Sequence, residues 1–186
     1  MAGINRQNSS IKYISRAQLL SVGIKCVFIS HQKADKAEAK KIADYLINAN
    51  IDVYFDEYDA DLKFYRQSNN PSAVTTSICT GINNSSHMLV LVSPSTLYST
   101  WVPFEIGYGF DKTDLSVLCL KGILQSSLPE YIKTASIIRD IYDLNTKIAA
   151  IRGLNKDYLL QTKSIIEFNS INNPLKNSMD TIIITT

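Results

Sequence analysis

Short apolar runs alternate with helical patterns along most of the chain. Four runs have the length and the Val, Ile, Leu and aromatic content of β-strands. They cover residues 26–29, 51–55, 88–92 and 115–120. A fifth, weaker run covers residues 135–138. Three of the four stronger runs are apolar on both faces, which is typical of strands that helices cover on both sides of a sheet.

The segments between these runs have helical patterns. Asp35 followed by Glu38 is a capping-box arrangement, and the residues after it recur on one helical face; they are Ala39, Ile42, Ala43 and Leu46. A second set recurs every four residues; it comprises Val74, Ile78 and Ile82, and Gly81 with Asn83-Asn84 closes that segment. The alternation predicts an α/β protein with a flavodoxin-like, doubly wound, parallel five-stranded sheet.

Both ends of the chain depart from this alternation. We therefore expect an N-terminal extension at 1–24, one domain at 25–152, and a C-terminal helix and tail at 153–186. Residues 14–20 predict a short helix before the first strand. Residues 156–168 predict another helix, and residues 181–186 are β-prone.

Composition excludes several classes of protein. The 19 Lys and Arg residues nearly balance the 17 Asp and Glu residues, which argues against nucleic acid or an anionic membrane as the main partner. No apolar run approaches the ~18 residues of a membrane span, and the N-terminus lacks the apolar core of a signal peptide, so we expect a cytoplasmic protein. Three cysteines rule out a disulfide framework and are expected to be buried thiols. With two histidines and no C-x-x-C pair, the sequence predicts no metal site.

Ligands of open α/β sheets bind beyond the carboxyl ends of the strands. Ser30, His31 and Lys33 follow the first strand, residues 56–70 follow the second, and residues 93–101 follow the third. These segments should therefore surround one crevice.

Several familiar chemistries do not fit the residues there. No P-loop motif and no G-x-S-x-G elbow exists. Gly107 and Gly109 begin a G-x-G, but Lys112 stands where the dinucleotide fingerprint needs a third glycine. A phosphorelay receiver would need acids after the first strand and an aspartate after the third, where this chain has Ser30-His31 and Ser93-Pro94.

Trp101 and Glu105 remain, four residues apart and hence on one helical face. A carboxylate beside an indole can hold a ribose diol while the indole covers a planar ring. Alternatively, Trp101 is a core anchor and Glu105 interacts favourably with the helix dipole.

Three stretches resemble the Toll/interleukin-1 receptor (TIR) domain family, across roughly residues 25–150. Cys26-Val27-Phe28-Ile29-Ser30-His31 resembles the first strand, and Tyr54-Phe55-Asp56-Glu57 the second strand and the BB loop. Ser93-Pro94-Ser95 through Trp101-Val102-Pro103-Phe104-Glu105-Ile106-Gly107-Tyr108 resembles the third strand and the helix with the catalytic glutamate. That stretch and Tyr13-Ile14-Ser15-Arg16 are most similar to bacterial stand-alone TIR proteins of the Thoeris anti-phage type.

The resemblance implies cleavage of NAD at its nicotinamide–ribose bond, with NAD as substrate and no bound cofactor. By the family's pattern, Glu105 would be catalytic and Trp101 would form the aromatic wall of the nicotinamide site. Ser30, His31 and Lys33 would meet ribose and phosphates. Asp56 would stand at the head of the BB loop, and Phe64 would be its stacking aromatic.

The resemblance also implies self-association through TIR–TIR contacts and a downstream effector that senses an ADP-ribose-derived product, cyclic or conjugated. Two alternatives stay open: a TIR interaction module without chemistry, and a nucleoside-type ribosyltransferase that cleaves another N-glycoside.

Overall fold

The computed structural model describes residues 3–8, 16–55, 70–123, 127–154 and 173–180. Five strands form one sheet: β1 (Cys26–Ser30), β2 (Asp52–Tyr54), β3 (His87–Val92), β4 (Asp114–Cys119) and β5 (Ser136–Ile138). All pairings are parallel and the order is β2-β1-β3-β4-β5. The predicted flavodoxin-like, doubly wound sheet is confirmed.

Six α-helices lie among the described residues: α1 (Arg16–Ser21), α2 (Lys36–Asn48), α3 (Pro71–Asn83), α4 (Trp101–Gly109), α5 (Glu130–Lys133) and α6 (Ile141–Arg152). None of these helices is long and apolar enough to span a membrane. Helices α5 and α6 were not predicted from the sequence. The predicted helix at 156–168 and the β-prone end at 181–186 lie outside the described residues.

Two apolar clusters cover the two faces of the sheet. On one face, α2 and α6 pack over β1, β2 and β3, together with Leu175 and Met179 from near the C-terminus. On the other face, α3, α4 and α5 pack over the same sheet. Each strand therefore contributes side chains to two cores, which explains the nearly continuous apolar runs in the sequence.

The N-terminal residues lie along the outer edge of β2. The amide of Val53 donates to the carbonyl of Ile4 at 2.9 Å, and Asn5 forms an isolated parallel bridge with Val53. Gly3 fits here because a Cβ would lie 2.2 Å from the carbonyl oxygen of Ile51. Arg6 is buried and donates to Asp52 from both Nε and Nη2, at 2.8 and 2.6 Å. These contacts cover an edge that would otherwise have unpaired backbone groups.

Residues 173–180 close the opposite side of the fold. The backbone amide of Lys121, after β4, donates to the carbonyl of Ser178 at 2.8 Å. The amide of Ile141, after β5, donates to the carbonyl of Asp180 at 2.9 Å. Residues 3–8 and 173–180 thus both pack on the sheet domain, while the division at residues 24/25 and 152/153 stays a prediction.

The predicted capping box at the start of α2 is wrong. Asp35 occupies the N-cap position, but its side chain makes no capping hydrogen bond. Its carboxylate contacts the loop after β3 instead. Glu38 pairs with Lys41 and accepts a hydrogen bond from the hydroxyl of Ser178. Asp35 therefore bonds a distant loop, and Glu38 bonds its helix neighbour Lys41 and the distant Ser178, instead of the two forming a capping box.

Candidate functional site

The site is centred on a buried carboxylate on the packing face of α4. The buried residues of that helix follow the i, i+3, i+4, i+7 spacing of an apolar face; they are Val102, Glu105, Ile106 and Gly109. Glu105 therefore occupies a position that periodicity assigns to an apolar side chain, and it is 8% exposed. Burying a carboxylate is costly unless hydrogen bonds compensate.

Ser30 supplies one such bond. It is the last residue of β1, 1% exposed, and its hydroxyl donates to Oε2 of Glu105. The contact joins the carboxyl end of β1 to the helix that follows β3. These two strands are neighbours in the sheet, and the connections that leave them run to opposite faces. This is the topological switch point, where doubly wound folds bind ligands.

Local sequence fixes how α4 begins. The amide of Val102 donates to the hydroxyl of Ser99 at 3.2 Å, which satisfies one of the donors at the helix start. Pro103 lies in the first turn, where its missing N–H costs no hydrogen bond. At the far end, Gly109 lets the helix approach β3, because a Cβ there would lie 2.5 Å from the sulfur of Met88.

Trp101 opens α4, one turn before Glu105. Its side chain is half-buried and packs against the apolar cluster under the sheet. Its ring meets that of Phe104 edge-on, with centroids 6.1 Å apart. The ring of Phe104 in turn stacks on that of Tyr108 at 6.0 Å. The indole is thus partly a packing residue and partly open to solvent or a ligand.

His31 and Lys33 follow Ser30 in the loop after β1. The half-buried ring of His31 lies 5.2 Å from that of Phe55, at the end of β2. Its Nδ1 lies 3.4 Å from the carbonyl oxygen of Ile29. Lys33 is exposed at the start of a 3-10 turn, Lys33–Asp35. Asp56 and Phe64, the remaining predicted site residues, lie outside the described residues.

Two contacts at this edge were not predicted. The side-chain amide of Asn5 donates to the carbonyl of Phe55 at 2.9 Å, and its oxygen accepts from the Phe55 amide at 3.2 Å. Asp35 accepts hydrogen bonds from hydroxyls of the loop after β3. The hydroxyl-rich run Ser93-Pro94-Ser95-Thr96 is the signal that could have indicated such a contact, because a run of donors beyond a strand needs acceptors.

The described residues include no group of three His, Cys, Asp or Glu side chains that could hold a metal ion. Their cysteines are free, with Cys26 and Cys119 buried. Cys79 is only half-buried, so the expectation of three buried thiols is wrong in that one case.

Comparison with curated proteins finds no match for the chain. Comparison with protein families matches residues 27–148 to the TIR domain, from the middle of β1 into α6. The matched range covers well over half of the 186 residues and includes Ser30, Trp101 and Glu105. The chain therefore belongs to the TIR-domain family.

Proposed function

We propose that this TIR domain cleaves the nicotinamide–ribose bond of NAD and releases an ADP-ribose-derived signal, cyclic or conjugated. A downstream effector would sense that product in the cytoplasm, in a bacterial anti-phage defence of the Thoeris type. The supporting observation is the Glu105 carboxylate, held on an apolar helix face by Ser30 at the ligand-binding edge of the sheet.

The main requirement of this reaction is electrostatic stabilisation of the charge that develops on the ribose. When the C1′–N bond breaks, its electron pair goes to the pyridinium nitrogen of the nicotinamide ring, so nicotinamide leaves as a neutral base. It needs no general acid, unlike the leaving groups of two-carboxylate glycosidases. Positive charge develops at C1′ of the ribose. A carboxylate in a water-poor site stabilises that charge far more than water would.

The nucleophile that reaches C1′ decides the product. Water adds its oxygen to C1′ and releases a proton, which gives ADP-ribose. A nitrogen of the adenine or a hydroxyl of the ribose in the same molecule adds to C1′ and, after loss of a proton, gives a cyclic product one water lighter than ADP-ribose. A nucleophile on a second molecule that adds to C1′ in the same way gives a conjugate. In this proposal Ser30 holds one oxygen of Glu105 and so orients the carboxylate, while Trp101 would cover the nicotinamide ring.

The test is incubation of the pure protein with NAD, followed by mass spectrometry. Loss of NAD with release of nicotinamide would support the proposal, and the mass of the second product separates hydrolysis from cyclisation. Because TIR enzymes can be silent until activated, the assay is repeated under crowding and with phage-infected lysate. NAD that stays intact in all these conditions would contradict the proposal.

An interaction module without chemistry is the second candidate. The outer face of α4 favours it, because Phe104 is 37% exposed and Phe110, just past the helix, is 49% exposed. Exposed aromatic side chains are common in protein interfaces. Self-association with intact NAD in every condition would support this candidate over the enzyme.

A further inference from the structure

The carboxylate of Asp35 connects the loop after β1 with the loop after β3, and both loops lie beside the candidate site. Asp35 lies in the loop after β1. The hydroxyl of Ser93, after β3, donates to its Oδ2 at 2.6 Å. The hydroxyl of Ser95 donates to the same oxygen at 3.0 Å. Thr96 Oγ1 lies 3.4 Å from Oδ2 but 3.1 Å from the carbonyl oxygen of Leu91, its better acceptor.

This contact replaces a local one. Asp35 stands at the N-cap position of α2, where an aspartate side chain normally accepts from the first turn of its own helix. Here it makes no such bond. The hydroxyl of Ser93, which donates to Asp35, accepts from the amides of Ser95 and Thr96 at 3.2 and 3.3 Å. The turn is thus held by its own hydrogen bonds, and Asp35 anchors it to the loop after β1 through the hydroxyls of Ser93 and Ser95.

The ordered turn leads directly into α4. The 3-10 turn Thr96–Tyr98 follows it, and Ser99 then receives the amide of Val102 in the first turn of α4. On the other side of the contact, Asp35 lies five residues after Ser30. The two loops thus meet at Asp35, and the elements beside them, β1 and α4, meet where Ser30 bonds Glu105.

We propose that Asp35 is a positioning residue that sets the start of α4 against the loop after β1. In this role it fixes the orientation of Trp101 and the meeting of Glu105 with Ser30. The effect on turnover rests on the proposed function, whereas the effect on the geometry of α4 does not.

Trp101 offers a direct readout, because it is the single tryptophan of the chain. Asp35→Asn keeps the size of the side chain but leaves one acceptor oxygen for two hydroxyl donors. We expect acrylamide to quench Trp101 fluorescence in this variant more strongly than in wild type. Glu38→Gln is the matched control, since it neutralises a carboxylate in the first turn of α2 that contacts neither loop. Its quenching should equal that of wild type.

Turnover gives the second readout. If NAD is cleaved, Asp35→Asn should lower kcat about tenfold while KM changes less than about twofold, because misplacing a carboxylate affects the transition state more than the bound substrate. Glu38→Gln should keep both constants per folded molecule. Ser93→Ala should reproduce the loss, and the double variant should be no worse than Asp35→Asn alone.

The outcomes separate the two proposals. Stronger quenching in Asp35→Asn supports the positioning role even if the wild-type protein never cleaves NAD. Absence of NAD cleavage by the wild-type protein contradicts the proposed enzyme. Unaltered quenching overturns the positioning role whether or not NAD is cleaved. If kcat of Asp35→Asn falls only in proportion to the fraction of the variant that is folded, the positioning role is also overturned. Should Asp35→Asn fail to fold, Ser95→Ala removes one donor and keeps the Ser93 bond, and the same readouts apply to it.

Discussion

The hydroxyl of Ser30, at the end of β1, donates a hydrogen bond to the carboxylate of Glu105, 75 residues later in the chain. Both side chains are buried where the sheet changes winding direction. Ser30 is matched to the loop for ribose and phosphates by family resemblance, whereas this contact makes it the direct partner of the proposed catalytic group. The proposed role of Ser30 therefore depends on its hydrogen bond with Glu105.

Glu105→Gln should abolish NAD cleavage and leave the fold intact. The amide keeps the size of the side chain and still accepts from Ser30, but it has no charge to stabilise the developing cation. We expect kcat to fall at least about 10²-fold, comparable to the loss of an electrostatic partner elsewhere, at an unchanged melting temperature. Glu130→Gln is the matched control, because that carboxylate is 90% exposed on α5. Wild-type turnover in Glu105→Gln would make Glu105 structural.

Trp101→Ala should weaken NAD use more than folding. A fully buried tryptophan costs about 3–5 kcal/mol on truncation, and this indole is half-buried, so we expect roughly half that loss. Val102→Ala provides the comparison, since that neighbour is 1% exposed and lies inside the core. It should melt earlier yet keep its turnover per folded molecule. If both variants lose activity only in step with their folded fraction, Trp101 is a core anchor.

Activity per molecule should rise with protein concentration, because TIR enzymes tend to complete their sites between neighbouring protomers. Head-to-tail contacts of this kind can propagate into filaments. Phe64→Ala and Tyr65→Asp, in the predicted BB loop outside the described residues, should lower the activity. Specific activity that stays constant across a wide concentration range, in the activated state, would indicate that one protomer holds a complete site.

Arg6→Ala should destabilise the fold by about 3–5 kcal/mol, because it leaves the carboxylate of Asp52 without its charged partner at the edge of the sheet, although the amide of Ile4 still donates to it. The Arg6 side chain is 3% exposed and that of Asp52 is 16% exposed. Lys40→Ala breaks the exposed pair with Asp44 and should cost less than about 1 kcal/mol. Chemical denaturation measures both. A loss for Arg6→Ala as small as that expected for Lys40→Ala would show that the buried Arg6–Asp52 pair adds no more stability than an exposed one.

The three thiols should differ in reactivity. Burial raises the pKa of Cys26 from 9.0 to about 12, against a smaller opposing effect of its hydrogen bond with Ser85. Burial likewise raises the pKa of Cys119 to about 11. At pH 8 a thiol reagent should therefore modify the half-buried Cys79 first, and all three cysteines after denaturation. Intact mass counts the adducts.

The same shifts predict that the fold loses stability at alkaline pH. Since the fold favours the protonated thiols, their contribution is complete below pH 9, the ordinary thiol value, and declines as the pH rises toward 11 and 12. Melting temperatures across this range test the sign. A Cys26→Ala variant that loses stability as steeply as wild type above pH 9 would exclude the Cys26 thiol as a cause.

The sequence by itself determined the architecture. Apolar runs of strand length, separated by helical patterns, leave few alternatives to a parallel sheet with helices on both faces. The i, i+4 spacing of Trp101 and Glu105 placed both near the start of one helix, and family resemblance supplied the proposed chemistry. The strand and helix patterns are local in the chain, so periodicity reveals them, whereas the proposed chemistry rests on the resemblance alone.

Tertiary structure decided what those residues touch. The sequence pattern uses Gly81 to mark the end of a helix, yet this residue lies inside α3. A Cβ at this position would be 2.6 Å from the ring of Tyr54 and 2.8 Å from that of Phe28, so close packing requires the glycine. Asp35 reads as a helix cap, yet it bonds a loop some 60 residues away. In both cases a local pattern and a distant partner compete for the same residue. The distant partner wins because packing the sheet brings it within reach, and no local pattern records that proximity.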